Sequence, residues 1–151
     1  MNIRKVKIDD YEQIIELYKE LYDAEKIFDA NLSDVYEVSD PEIIKKRIKS
    51  RKEIFLVAEE NNKIVGLIDG YIIDNRHHIE KVGYLDHLCV RKEYQNQGIG
   101  RYLIEKFSDK MKNKNVAYLK LNAFEKNLPA ISLYKKLGFK EHSIFYIKNI
   151  K

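Results

Sequence analysis

The sequence predicts a mixed α/β (α+β) fold: one mostly antiparallel sheet with helices on both faces, in the order β-α-α-β-β-β-α-β-α-β. Three strand-like stretches follow one another between Ile54 and Val90, joined by polar connections, which makes a meander. Beyond Val90 the pattern alternates helix and strand. A doubly wound nucleotide fold alternates from its start and fits less well. Between the two regimes, the apolar strand Tyr84 to Val90 runs into Gln95-x-x-Gly98-x-Gly100 and an amphipathic helix. Such a turn presents successive backbone N–H groups at a helix N-terminus and is suited to hold phosphate.

Each element has a local reason. Ile3 to Lys7 alternates apolar and basic residues, as a short strand does. Asp9-Asp10 with Glu12 and Gln13 starts a helix, and Ile14, Ile15, Leu17, Tyr18, Leu21 and Tyr22 give it one apolar stripe. Asp23 to Asp40 is polar and acidic. Asp40-Pro41 reads as N-cap and first position of a second helix, which carries Ile43, Ile44 and Ile48 and ends near Lys52. Ile54 to Ala58 and Ile64 to Asp74 are strands about an Asn61-Asn62-Lys63 turn, and Lys81 to Val90 is the third of the meander. Asn75 to Glu80 is a polar connection whose His77-His78 pair reads as surface. The Gly98 helix runs to about Asn113, Val116 to Ala123 is a strand, and Leu128 to Leu137 is a helix stopped by Gly138. Ser143 to Ile150 is a final strand with Ile144 and Tyr146 on one face.

Residues 1–151 make one domain: 44% apolar and 11% aromatic content suffices for a core, with little linker material among six glycines and two prolines. The formal charge of +4 comes from lysines spread along the chain and is no nucleic-acid footprint. Cys89 is alone, so there is no disulfide framework and no Cys-based zinc site; in an apolar strand it reads as an inert thiol. The N-terminal residues lack a signal peptide's apolar segment and no run is long enough to span a bilayer, so the expected location is cytoplasmic, without a membrane partner.

Leu85-Asp-His-Leu-Cys-Val90, Gln95-x-x-Gly98-x-Gly100 and Asn127-x-x-Ala130-x-x-Leu133-Tyr134-x-x-Leu137-Gly138-Phe139 together resemble the GNAT family of N-acetyltransferases. The likeness runs from Lys81 to Phe139, and the order of elements extends it over the chain. Tyr84 to Gly100 is similar to small-amine members such as spermidine/spermine N-acetyltransferases.

The resemblance implies transfer of an acetyl group from acetyl-CoA to a primary amine by direct attack, with no metal. A sensor or other non-catalytic module that binds acetyl-CoA is the alternative. The turn from Gln95 through the backbone of Gln97, Gly98, Ile99, Gly100 and Arg101 would hold the pyrophosphate. The strand before it would splay from its neighbour, so that the main chain of Leu88 and Val90 meets the pantetheine arm. Asn127 would reach the same arm, or serve only as a helix N-cap. Tyr134 would protonate the leaving thiolate, against a competing role as core tyrosine. Asp86 is the expected base, raised in pKa by burial, unless it is a structural carboxylate; alternation puts it on one face with Tyr84, Leu88 and Val90, subject to any bulge, and His87 on the other. The acids Asp23, Glu25, Asp29, Asp34, Glu37, Asp40 and Glu42 around the first two helices favour a cationic acceptor: a small polyamine, an aminoglycoside or a lysine-like amine. Many members are dimers, which leaves a homodimer open for this chain.

Overall fold

The computed structural model describes residues 1–33, 40–73 and 79–150. His77, His78, Asp34 and Glu37 lie outside them. Five strands form one sheet in sequence order: β1 (Asn2–Lys5), β2 (Glu53–Glu60), β3 (Lys63–Ile73), β4 (Lys81–Val90) and β5 (Val116–Lys120). The first three pairings are antiparallel, and β4 pairs with β5 in parallel. Helices α1 (Tyr11–Glu25) and α2 (Pro41–Lys49) precede the meander, α3 (Ile99–Lys112) follows β4, and α4 (Leu128–Lys136) follows β5.

The sheet separates two apolar layers. On one face Ile14, Leu17 and Tyr18 of α1 and Ile44 of α2 pack on Phe55, Val57, Leu67 and Cys89. On the other, Leu103, Ile104 and Phe107 of α3 pack on Leu56, Ile68 and Leu85, with Leu133 and Tyr134 of α4 against their margin. Apolar residues at helical spacing thus meet alternating strand residues, and their removal from water drives the assembly.

The expected caps are present. Asp40 accepts a hydrogen bond from the Glu42 amide at 2.9 Å with Pro41 in the first position of α2. Asn61 and Asn62 adopt positive φ in the β2–β3 turn, and Gly138 does so after α4.

The expected final strand is not formed. Residues 140–150 adopt neither helix nor strand and are exposed throughout. The apolar alternation that predicts a strand needs a neighbouring edge before it yields one, and among the described residues no strand pairs with it. No helix among the described residues is long and apolar enough to cross a membrane.

Candidate active site in the cleft between β4 and β5

The pairing of β4 with β5 ends at Tyr84↔Lys120, while β4 continues against β3 to Val90. Beyond Tyr84 the two strands part. The Arg91 amide donates to the Val65 carbonyl at 2.9 Å, which turns Arg91 toward β3. Alternation then turns the main-chain polar groups of Leu88 and Val90 into the cleft. The Gln95 side-chain amide donates to the Val90 carbonyl at 3.0 Å, leaving the Val90 N–H on that side. Gln95 therefore shapes the β4 end of the cleft.

At the cleft's base Asn96 and Gly98 adopt positive φ, at 61° and 82°, on either side of Gln97. A Cβ on Gly98 would meet nothing within 4 Å, so that glycine is there for its backbone angle. A Cβ on Gly100 would approach Leu133 at 3.5 Å and Leu88 at 3.9 Å, entering the space between β4 and α4. The amides of Ile99, Gly100 and Arg101 open α3, have no carbonyl one turn back, and lie at its positive end. Parted strands, cleft-facing amides and this concave turn fit a long ligand that ends in a diphosphate. The Arg101 side chain is itself paired with Glu105 at 2.8 Å, leaving its backbone as the part that faces the turn.

On α4, Asn127 acts as the N-cap: its Oδ1 accepts from the Ala130 amide at 3.3 Å. Its side-chain amide group is not consumed by that bond. Tyr134 lies two turns along, its ring edge-on to Phe139 at 5.8 Å. Burial, with a smaller contribution from the Glu25 charge, pushes the Tyr134 phenol up to about 12.

The placement of Asp86 corrects the sequence reading in two respects. Asp69 pairs with His87 and Gly70 with Leu85, so Asp86 is the extra residue of a β-bulge. The bulge breaks the alternation: Leu85 and Leu88 pack toward α3, while His87 turns to the α1 face and brings Asp86 with it. Asp86 thus shares a face with His87 and not with Leu88 and Val90. It is also exposed, with 37% of its side chain accessible, where burial was expected. Gly70 opposite the bulge permits the fold, since a Cβ there would fall 2.0 Å from the Tyr84 carbonyl oxygen.

His87 anchors a buried network that sequence reasoning missed. Its Nδ1 is 3.1 Å from Oδ1 of Asp69, a fully buried carboxylate, and its Nε2 is 3.2 Å from the Tyr22 hydroxyl. Asp69 also accepts from the Tyr18 hydroxyl and, at 2.6 Å, from Arg47 Nη2, while Arg47 Nε donates to Glu53 at 2.6 Å. Burial works against the charged form of both groups. For His87 the Asp69 hydrogen bond and charge outweigh it and raise the pKa; for Asp69 the His87 bond and the His87 and Arg47 charges outweigh it and lower the pKa. A carboxylate inside the otherwise apolar run Ile64 to Ile73 was the available signal. Ligand-type atoms of Asp69, Asp86 and His87 lie within 4.8 Å of one another. The Arg47 guanidinium on Asp69 makes that trio a poor cradle for a cation.

Of the acidic residues near the first two helices, Asp23 pairs with Lys19 and Lys26, Glu42 with Lys45, Asp40 caps α2, and Asp29 accepts from the Asn31 amide. Glu25 differs. It is half-buried at the end of α1, and among the described residues no donor reaches its carboxylate. Burial raises its pKa, against the opposing charge of His87. The Glu25 charge also acts on the Tyr134 phenol, raising its pKa. Cys89 is buried with its thiol directed at the Leu17 carbonyl, and burial pushes its pKa up to about 12, as suits an inert side chain.

The acetyltransferase (GNAT) family model matches residues 12–139. The chain is 30% identical over 100 residues to N-acetyltransferase 8 of Homo sapiens, across 66% of this chain and 44% of that protein. It is 42% identical over 60 residues to the ribosomal protein bS18-alanine N-acetyltransferase of Escherichia coli (strain K12), across 40% of each. The matched stretches thus span less than half the length of these relatives. Among solved structures, a tetramutant of the BH1408 protein from Bacillus halodurans superposes with a TM-score of 0.88 at 21% identity, over 99% of this chain and 100% of that one. An aminoglycoside acetyltransferase from an uncultured soil metagenomic sample, in complex with sisomicin, gives 0.76 at 21%, over 99% and 96%. At these identities the structural likeness carries the fold alone.

Proposed function

The chain belongs to the GNAT family of acetyltransferases, and from that premise we propose that it transfers an acetyl group from acetyl-CoA to a primary amine by direct attack. The observation that carries this reading is the parting of β4 from β5 after Tyr84↔Lys120, directly above the positive end of α3.

Acetyl-CoA supplies the activated thioester; the chain supplies position, charge and protons. Amides from Gln97 to Arg101 hold the diphosphate, and main-chain groups of Leu88 and Val90 align the pantetheine arm, with Asn127 facing it from α4. A backbone N–H near Leu88 stabilises the negative charge that develops on the carbonyl oxygen. Tyr134 holds its proton throughout the neutral range and delivers it to the departing sulfur. Asp86, oriented by His87 with Oδ2 3.6 Å from Nδ1, accepts the amine proton directly or through one water.

Glu25 supports a cationic acceptor. Most neighbouring acids are already paired or capping, whereas this carboxylate is half-buried beside His87 and Tyr134. A small polyamine, an aminoglycoside, or an amine on a lysine side chain or peptide would carry the complementary charge. Incubation with acetyl-CoA and a panel of amines, read by mass spectrometry with thiol release followed in parallel, tests the proposal. Acetylated amine with stoichiometric free thiol is expected. Acetyl-CoA uptake without acceptor-dependent thiol release would instead describe a sensor.

A further inference from the structure

We infer that Tyr71 and Tyr84, side by side on the sheet face that carries Asp86, form an aromatic seat for the ammonium group of the acceptor. The seat rests on the amine-acceptor reading above and adds what recognises the amine before its proton is lost.

Tyr71 pairs directly with Tyr84 across β3 and β4, next to the bulge at Asp69 and Gly70. Their chain neighbours fix the face. Ile72 and Leu85 pack into the α3 layer, and a Cβ on Gly70 or Gly83 would approach Phe107 at 2.7 Å or Met111 at 3.1 Å on that same side. Alternation therefore turns both tyrosines to the opposite face, where the bulge has also put Asp86 and His87. The ring centroids are 5.5 Å apart, with planes inclined by 32°. Neither ring joins the apolar layer beneath α1 and α2. Tyr71 is 39% exposed and Tyr84 half-buried, so the pair is open to a ligand.

An aromatic pair offers its faces to any apolar group; the surrounding charge selects a cation. Glu53 lies opposite Tyr71 on β2. Burial, and after it the Asp86 charge, raises both phenols above their ordinary value. Asp69 and Glu25 stand behind, around His87. These four carboxylates outnumber the cations of this side, which are His87, Arg47 and, opposite Tyr84 on β5, Lys120. Among the described residues no lysine or arginine lies over either ring: the cation–ring contacts formed are Arg47 on Phe55, Lys63 on Tyr94 and Lys106 on Tyr102. A protonated alkylamine fits this surface. With the ammonium on the rings, one proton passes from its nitrogen to the Asp86 carboxylate, and the neutral amine keeps the electron pair that attacks the thioester.

Tetramethylammonium tests the seat on the full chain, since it carries the charge, has no proton to give and cannot be acetylated. Its methyl protons should shift upfield in NMR on adding protein, as they do over ring faces, and Tyr71→Leu/Tyr84→Leu should remove about two thirds of that shift or more. tert-Butanol, neutral and of similar size, should bind far more weakly. An absent or downfield shift, equal binding of tert-butanol, or a shift that survives in the leucine variant overturns the seat. Tyr71→Leu alone, at an exposed position, serves if the double variant does not fold. In turnover, Tyr71→Leu should raise KM for alkylamines about fivefold, leave KM for acetyl-CoA in place, and be rescued by Tyr71→Phe, which keeps the ring. A phenylalanine variant as impaired as the leucine one overturns the seat in favour of a role for the hydroxyl. Alkylamine acetylation without binding of the probe defeats the seat and leaves acetyl transfer standing; probe binding without acetylation of any amine defeats acetyl transfer and leaves an ammonium-binding surface.

Discussion

Asp86 and His87, adjacent in sequence, lie on the same side of the sheet, with His87 Nδ1 3.6 Å from Asp86 Oδ2. A regular strand would set them on opposite faces; the bulge opposite Asp69 and Gly70 brings them together. One imidazole thereby lies between a fully buried carboxylate and a partly exposed one.

That arrangement makes stability depend on pH. The His87 pKa is raised above its ordinary 6.5, so its stabilisation is complete below 6.5 and is lost as pH rises through the folded value. The Asp69 pKa is lowered from its ordinary 3.8, so its contribution is present above 3.8 and is lost as pH falls through the folded value. Thermal melts of the native chain should therefore decline from pH 6.5 upward, and His87→Ala should abolish that decline while costing about 1–3 kcal/mol at pH 6. A parallel decline in the variant would show that another group is responsible.

Arg47→Leu should destabilise by about 3–5 kcal/mol, because it removes a guanidinium paired with the buried Asp69. Urea unfolding measures the loss. A cost near 1 kcal/mol or below would mean that His87 and Tyr18 suffice.

Tyr134→Phe should lower turnover by about 10²-fold with little change in acetyl-CoA affinity, because the ring packing on Phe139 survives and only the proton is removed. Unchanged turnover would remove Tyr134 from the mechanism. Calorimetry alongside single-turnover kinetics separates the two quantities.

Gly98→Ala should weaken acetyl-CoA binding about tenfold and cost about 1–2 kcal/mol of stability. The cause is the φ of 82° alone, since the added methyl group meets no atom. A variant that keeps full affinity would mean that the turn holds its shape without a glycine.

Glu25→Gln should raise KM for cationic acceptors about tenfold and leave neutral amines unaffected. Added salt should weaken the native preference in the same direction. Equal effects on charged and neutral acceptors would assign Glu25 a structural role.

The turn into α3 was legible as a shape because its determinants are local: Gly98 needs a backbone angle, and the opening amides of α3 follow from a helix starting there. The caps at Asp40 and Asn127 were legible for the same reason. The face occupied by Asp86 was not, because a bulge belongs to the pairing of two strands and leaves no mark on one strand's alternation. The His87–Asp69–Arg47 network joins β4, β3 and α2, residues far apart in the chain, and Asp69 amid apolar neighbours was its one trace. Ser143 to Ile150 has a strand's composition, but composition does not name the edge on which a strand forms.

Arg91 stands where β4 gives way to the turn that opens α3. Its guanidinium donates to Glu16 at 2.8 Å and Glu20 at 2.7 Å on α1, and to the Ile64 carbonyl at 2.8 Å. A single side chain thus rivets the helix that ends in Glu25 to the β3–β4 strands next to the turn that opens α3. All three contacts converge on one guanidinium, so any slide of α1 along the sheet must break them together, and removal of that one cation would leave two acids on α1 and a buried carbonyl without their donor at once.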